Sequence, residues 1–322
     1  MTNKNKIIFF GTPVFAAIVL EMLSKSKFKP AAVVTEPDKP VGRKQILTPP
    51  AVKVVAQKYN IPILQPEKIR NLKLPLGPEL GVEGEIRNLK PDLMILAAYG
   101  QMIPSEILNI PTFGSLNVHP SLLPKYRGAS PIQTAILNGD KETGVTIILM
   151  DEKVDHGPII TNDKKLITNN KITTEELSKE LAEFGAELLI KTLPKWLAGE
   201  IRPMPQDDLQ ATYTRQIKKE DGKIDWQKTA EEIERIVRAY WPWPSAYTKL
   251  NEKNIKIIKA DILESECNER PGTVFLTSDK KIAVACGKNT LILQELQLEG
   301  KRPMGAQEFF NGHPEIIDSQ FG

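Results

Sequence analysis

Cysteine is nearly missing from this chain, with Cys267 and Cys286 the two among 322 residues. They form no CxxC pair, so no disulfide framework or thiol redox motif is expected, and both thiols read as reduced. Histidine is almost as scarce: His119, His156 and His313 lie far apart in sequence. With so few nitrogen and sulfur ligands, no metal site is expected. No apolar run approaches the roughly eighteen residues of a membrane span, so no membrane association is expected. Met-Thr-Asn-Lys-Asn-Lys leads directly into Ile7-Ile-Phe-Phe10. That apolar stretch is too short for a signal peptide, and a cytoplasmic location is expected. An excess of one charge is lacking as well. The net charge is +3, and residues 211–322 hold 17 basic and 17 acidic groups. Non-specific nucleic-acid binders usually carry a strong basic excess, although a local basic patch needs none. There is no GxGxxG fingerprint, which leaves a dinucleotide-dependent oxidoreductase poorly supported. Internal repeats and low-complexity segments are also missing, and no protein partner is indicated.

What is present is enough apolar residue for a core and enough length for two domains. The first two-thirds alternate strand and helix. Strands are expected at Lys6 to Phe10, Ala31 to Thr35, Ile61 to Leu64, Leu93 to Ala98, Ser115 to Val118 and Gly144 to Met150. Leu93-Met-Ile-Leu-Ala-Ala98 is continuously apolar, as in a central parallel strand, and Gly144 to Met150 reads the same way. Helices are expected after Gly11-Thr12-Pro13, with Thr12 as N-cap, then over Pro50 to Tyr59, Pro78 to Leu89 and Thr173 to Glu200. The last opens with a Thr173/Glu176 capping box. This alternation argues for an α/β fold with a Rossmann-like doubly wound sheet. Glu200 to Thr212, with Pro203 and Pro205, reads as a linker. Beyond it come one amphipathic helix, Trp226 to Tyr240, and five short strands at Ala246–Leu250, Ile255–Ile262, Gly272–Leu276, Ile282–Ala285 and Thr290–Leu298. Strands at that spacing suggest a small C-terminal β-barrel domain. The expected division is 1–205 and 206–322.

The chemistry concentrates in Ser115-Leu-Asn-Val-His119-Pro-Ser-Leu-Leu-Pro124-Lys-Tyr-Arg-Gly128, taken with Met150-Asp-Glu-Lys-Val-Asp155-His-Gly157. Asn117 and His119 are two apart, so on an extended strand they point to the same side. An amide donor beside an imidazole can grip an oxyanion. A carboxylate at the end of the next strand can orient and charge that imidazole. Acyl or formyl transfer through a tetrahedral intermediate follows. Singly, each residue has a plainer reading: a structural histidine, a loop-pinning asparagine, a solvated turn aspartate. Their meeting at successive strand ends is what carries weight, because ligands bind outside the carboxyl ends of such strands.

The chain resembles the family of enzymes that use 10-formyltetrahydrofolate as formyl donor. The markers are Phe10-Gly-Thr-Pro13, Pro37-Asp-Lys-Pro-Val-Gly-Arg43, Ala98-Tyr-Gly100, Asn117 to Gly128 and Gly144-Val-Thr-Ile. Lys219-Glu-Asp-Gly-Lys-Ile-Asp-Trp226 and Arg238-Ala-Tyr-Trp-Pro-Trp-Pro244 narrow the resemblance to the branch acting on tRNA. It implies Asn117, His119 and Asp155 as catalytic residues. It implies folate binding by Ser121, Leu122, Leu123 and Pro124, and by Gln101, Met102 and Ile103 through backbone groups. Arg43, with Lys44 beside it, matches a loop that approaches the tRNA acceptor end, and the C-terminal part matches an OB-like barrel. The implied reaction is transfer of the formyl group to the α-amino group of methionine on initiator tRNA, in translation initiation. Initiator methionyl-tRNA and folate are then the partners, and no metal is needed.

The alternative within the same chemistry is formyl transfer to a sugar nucleotide or other small amine. That relative often carries a dehydrogenase-like C-terminal domain, and the roughly 110 residues after the linker are too few for one. A non-catalytic RNA-binding barrel is the alternative from another class, and the intact trio speaks against it. Three features depart from the family pattern. Asn71 to Glu85 is longer than usual and expected as a surface loop. His156 stands where threonine is expected, and is read as facing water. Ser245 replaces a usual glycine. Trp241 and Trp243 are read first as buried anchors between domains and second as RNA contacts.

Overall fold

The computed structural model describes residues 5–42, 44–69, 82–250, 253–265 and 268–322. Arg43, Cys267 and residues 71–81 of the expected insertion lie outside the described residues. The chain divides into two compact units, each assembled from separated segments. The first takes Met1–Gly128, Glu142–Leu166 and Ser178–Tyr213, and the second takes Ala129–Lys141, Ile167–Leu177 and Thr214–Gly322.

The first unit carries strands β1 (Ile7–Gly11), β2 (Ala32–Val34), β3 (Lys39–Val41), β4 (Ile46–Thr48), β5 (Ile63–Leu64), β6 (Leu93–Ala97), β7 (Ser115–His119), β8 (Arg127–Gly128), β9 (Glu142–Leu149) and β10 (Ile159–Leu166). Its helices are α1 (Val14–Lys25), α2 (Ala51–Lys58), α3 (Val82–Leu89) and α4 (Ser105–Leu108). Helix α5 (Pro131–Leu137) lies in the second unit, and α6 (Thr174–Leu197) begins in the second and continues in the first. The main sheet has the order β10-β9-β7-β6-β1-β2-β5. From β7 to β5 the pairs are parallel. Strands β1 and β6 are buried at every position, as a sheet covered on both faces requires. The chain runs outward through β2 and β5, then returns to the other side of β1 as β6. The crevice at the carboxyl ends of β1 and β6 is therefore a topological switch point, where such folds bind ligands.

Several expectations change. Strand β9 is not parallel: it pairs antiparallel with both β7 and β10. A strand buried on both faces has the same apolar run in either direction, so its sequence does not encode direction. Thr12 does not cap α1. The N-cap is Pro13, with no side-chain bond, and the Thr12 hydroxyl donates to the Tyr99 carbonyl. The Thr173/Glu176 capping box forms, with Thr173 N donating to Glu176 Oε2 and Glu176 N to Thr173 Oγ1.

The second unit adds the short strand β11 (Tyr213–Thr214), which begins at the last residue of the first unit, and α7 (Ala230–Ala239). Then come β12 (Ala246–Leu250), β13 (Lys253–Leu263), β14 (Val274–Leu276), β15 (Ile282–Ala285), β16 (Thr290–Leu298), β17 (Met304–Gly305) and α8 (Ala306–Gly312). The five expected strands form one curled antiparallel sheet, β12-β13-β16-β15-β14, with β17 added to β16. Helix α7 is shorter than expected: Thr229 is its N-cap, in a capping box with Glu232. Trp226 lies before it, buried in the sheet's core against Phe321. Gly322 N donates to Lys249 O, and Lys249 N donates back to Gly322 O. Trp243 is 59% exposed, so the expected role as a buried anchor does not hold for it. Among the described residues no helix is long and apolar enough to cross a membrane.

Candidate active site

The period of two along β7 places Asn117 and His119 on one side of the strand, as their spacing demands. Asp155 reaches them from the loop between β9 and β10. Asn117 Nδ2 donates to Asp155 Oδ1 at 3.2 Å, and His119 Nδ1 faces the same oxygen at 3.5 Å. Gly128 N donates to Asp155 Oδ2 at 2.8 Å. One carboxylate thus gathers an amide, an imidazole and a backbone N–H. His119 is 4% exposed, and its Nε2 lies 2.9 Å from the Tyr126 carbonyl. A carbonyl only accepts, so Nε2 carries a hydrogen. The 3.5 Å contact at Nδ1 is too long for a strong hydrogen bond. Both ring nitrogens thus face an oxygen, and Asn117 Nδ2 has a second hydrogen beyond the one given to Asp155. Asp155 and Tyr126 both have left-handed backbone, φ 49° and 64°, which non-glycine residues adopt at a cost. That cost marks a loop held in place by its surroundings.

The loop Ser121 to Pro124 is held from beneath by Thr146 of β9. The Thr146 hydroxyl donates to Ser121 O and accepts from Leu123 N. Ser121 is 1% exposed, and its own hydroxyl donates to Lys125 O. Leu123 is buried with Ile148 and Ile159. At Gly144 a Cβ would lie 2.5 Å from Leu122 Cδ2 and 2.4 Å from Asp163 O, so only glycine lets that leucine and strand approach. Gly144-Val-Thr146 is therefore the floor of this loop, which the sequence reading marked without a role. At the carboxyl end of neighbouring β6, Ala98 and Gly100 have positive φ, and Ile103 is buried while Met102 is exposed. The Gln101 side chain accepts from Ile69 N and donates to Glu67 O. Among the described residues, Gln101, Met102 and Ile103 make no backbone–backbone hydrogen bond.

Lys44 is exposed in the loop joining β3 and β4, which pair with each other as a separate hairpin. The hairpin follows β2, on the same sheet edge as the trio. Two cavities, of about 480 and 640 Å3, lie elsewhere. The smaller is lined by Phe113, Trp196 and Pro203, the larger by Asp261, Lys281 and Gln307, and neither includes a trio residue.

Residues 200–212 are not a passive linker. Met204 pairs with Ile159, and Gln206 Nε2 donates to the Asp155 and Gly157 carbonyls at 2.9 and 2.8 Å. Arg127, 1% exposed, donates to Gln206 Oε1, Asp208 Oδ1 and Tyr213 Oη. Burial alone would lower the Arg127 pKa, but the bonds to Asp208 and Tyr213 outweigh it and hold the guanidinium above its ordinary value. Its hydrogen bond in turn holds Asp208 below the usual carboxylate range. His156 does not simply face water. Its Nδ1 lies 2.5 Å from Asp151 Oδ2 and its Nε2 3.4 Å from Asp208 Oδ2, with the side chain 30% exposed.

Comparison with known proteins places the chain in a family. The formyl transferase model matches residues 5–193, and the formyl transferase C-terminal domain model matches residues 216–314. The chain is 44% identical over 308 residues to the methionyl-tRNA formyltransferase of Enterococcus faecalis, covering 95% of this chain and 96% of the relative. It is 45% identical over 311 residues to that of Halalkalibacterium halodurans, covering 95% and 94%. Among solved structures, an N-formyltransferase from Helicobacter canadensis, crystallised with folinic acid and dTDP-3-aminofucose, shares the fold. Its TM-score is 0.65 at 23% identity, over 90% of this chain and 99% of that one. The chain belongs to the formyl transferase family and, within it, to the methionyl-tRNA formyltransferases.

Proposed function

We propose that this chain transfers the formyl group of 10-formyltetrahydrofolate to the α-amino group of methionine carried by initiator tRNA, a cytoplasmic step of translation initiation. The observation that carries the reading is the Asp155 carboxylate gathering Asn117, His119 and Gly128 N at one strand edge. Full-length relatives at 44 and 45% identity favour the tRNA substrate over a sugar nucleotide.

The folate co-substrate fits the chain's own groups. The peptide groups of Gln101, Met102 and Ile103, which make no backbone–backbone hydrogen bond among the described residues, read the pterin edge, with buried Leu96 and Ile103 as apolar wall. Ser121 to Pro124 contribute shape rather than side-chain hydrogen bonds, since the Ser121 hydroxyl is spent on Lys125 O. In the reaction, the neutral methionine amine adds to the formyl carbon and the carbonyl oxygen gains the negative charge. Loss of the carbon–N10 bond then leaves formyl-methionine, and one proton passes from the attacking nitrogen to the departing one. Asn117 donates its second N–H to the developing oxyanion. His119 in its imidazolium form has an acceptor at each nitrogen, and supplies positive charge beside that oxygen. Asp155 orients both and can accept a proton through water. Arg43 and Lys44 meet the acceptor end of the tRNA, and the barrel of the second unit holds its body. A guanidinium fork suits phosphate and base edges there better than an ammonium.

Incubation with 10-formyltetrahydrofolate and initiator or elongator methionyl-tRNA, followed by mass analysis of the aminoacyl group, tests the reading. Formyl-methionine on initiator tRNA is the expected product. Asn117→Ala should lower kcat about a hundredfold with little change in folate KM, the usual effect of one lost oxyanion donor. A variant that keeps kcat and loses folate binding would make Asn117 a binding residue instead.

A further inference from the structure

Asp155 occupies strained backbone, and its side chain alone does not explain why the loop stays there. The carbonyl of Asp155 and that of Gly157 both accept from Gln206 Nε2, at 2.9 and 2.8 Å. The orientation of that amide is fixed by its neighbours. Arg127 can only donate, and it donates to Gln206 Oε1 from both Nε and Nη2, at 3.0 and 2.8 Å. The oxygen must therefore face the guanidinium and the nitrogen must face the two carbonyls. Arg127 is itself 1% exposed and held by Asp208 and Tyr213. Arg127 opens β8, and the next residue, Gly128, donates from its backbone to Asp155 Oδ2. Backbone and carboxylate of Asp155 are thus gripped from two sides by parts that the same arginine joins.

We infer that Gln206 is a positioning residue for the transfer reaction: braced by Arg127, it sets the backbone of Asp155 so that the carboxylate meets Asn117 and His119. This rests on the formyl-transfer reading of the site. Gln206 touches no reacting atom; it acts through Asp155. Misplacement of a catalytic group by about an ångström is enough to cost orders of magnitude in rate.

Gln206→Glu separates positioning from mere support. A glutamate still pairs with Arg127 but has no hydrogen to give the two carbonyls. Full-length wild type and variant are compared by steady-state kinetics with 10-formyltetrahydrofolate and initiator methionyl-tRNA, by thermal unfolding, and by the NMR signal of the Gly128 amide. That amide reports on the Asp155 carboxylate directly. The expected result is a kcat lower by about tenfold or more, with both KM values within about twofold, a Tm near wild type and a displaced Gly128 signal. An unchanged kcat overturns the inference. So does a rise in KM alone, which would assign Gln206 to the acceptor surface, or a fall in kcat with the Gly128 signal unmoved. Should Gln206→Glu fail to fold, Gln206→Met, which keeps length and removes the donor, is judged by the same outcomes. If wild type itself forms no formyl-methionine, the functional reading fails, while the Gly128 signal still decides whether Gln206 sets Asp155.

Discussion

Tyr99 carries its hydroxyl into the core at the end of β6, where it is 4% exposed and packs edge-on against Phe10. Among the described residues its oxygen has no hydrogen-bond partner. Burial, with the charge of Glu36 second, pushes the phenol from 10.0 up to about 12. Between those values the unfolded chain gives up the proton first, so the folded state holds more protons and stability falls as pH rises. No penalty applies below about pH 10, and through about pH 12 the folded state loses up to roughly 2–3 kcal/mol. Urea midpoints of wild type and Tyr99→Phe should diverge over that window, with the phenylalanine variant holding its stability. At neutral pH the variant should be at least as stable, because a lone buried hydroxyl is gone. Parallel curves would refute the assignment. At this scale the site was half legible. Asn117 and His119 follow from strand periodicity, and Asp155 from its strand end. Gln206 and Thr146 do not, because their roles depend on which distant carbonyl they meet, and local pattern does not record that. His156 misled for the same reason: Asp151 and Asp208 are adjacent to it only once the loops fold.

Elements were more legible than their directions. Continuous apolar runs located β1 and β6. Strand β10 was missed, since beyond Ile159 and Ile160 it is Thr-Asn-Asp-Lys-Lys, the polar sequence of a sheet edge. The hairpin of β3 and β4 was missed because it buries nothing. Two motifs of the second unit prove to be one corner: a Cβ on Gly222 would lie 2.2 Å from Ser245 O, so Lys219-Glu-Asp-Gly222 packs on the end of Pro-Trp-Pro-Ser245. Asp221 holds that turn by accepting from Arg215 and Lys218 N, and those bonds take its carboxyl down to about 2. Ser245 has φ 69°, the conformation glycine takes most easily, which explains the usual glycine there. Helix α7 depends on Thr229, whose hydroxyl accepts from Glu232 N while Glu232 accepts from Thr229 N. Thr229→Ala should lower unfolding stability by about 1 kcal/mol. Thr229→Ser should restore most of it, and equal denaturation midpoints for all three proteins would deny the cap its role.

The compact units do not follow the chain in order, since the second takes residues 129–141 and 167–177 from within the first two-thirds. A chain ending at residue 205 would also lose Gln206, Asp208 and Tyr213, the partners of buried Arg127. A chain ending at 216 would keep them. The shorter piece should be less stable, with a lower Tm, because Arg127 loses those hydrogen-bond partners. It should also transfer formyl to a small amine more slowly; equal Tm and equal rate would show that the 206–213 strap is dispensable. The packing of Phe321 on Trp226 ties together side chains far apart in sequence. Both side chains belong to one buried cluster of the second unit. Truncating the Phe321 side chain should therefore leave a void beside Trp226 and loosen that core.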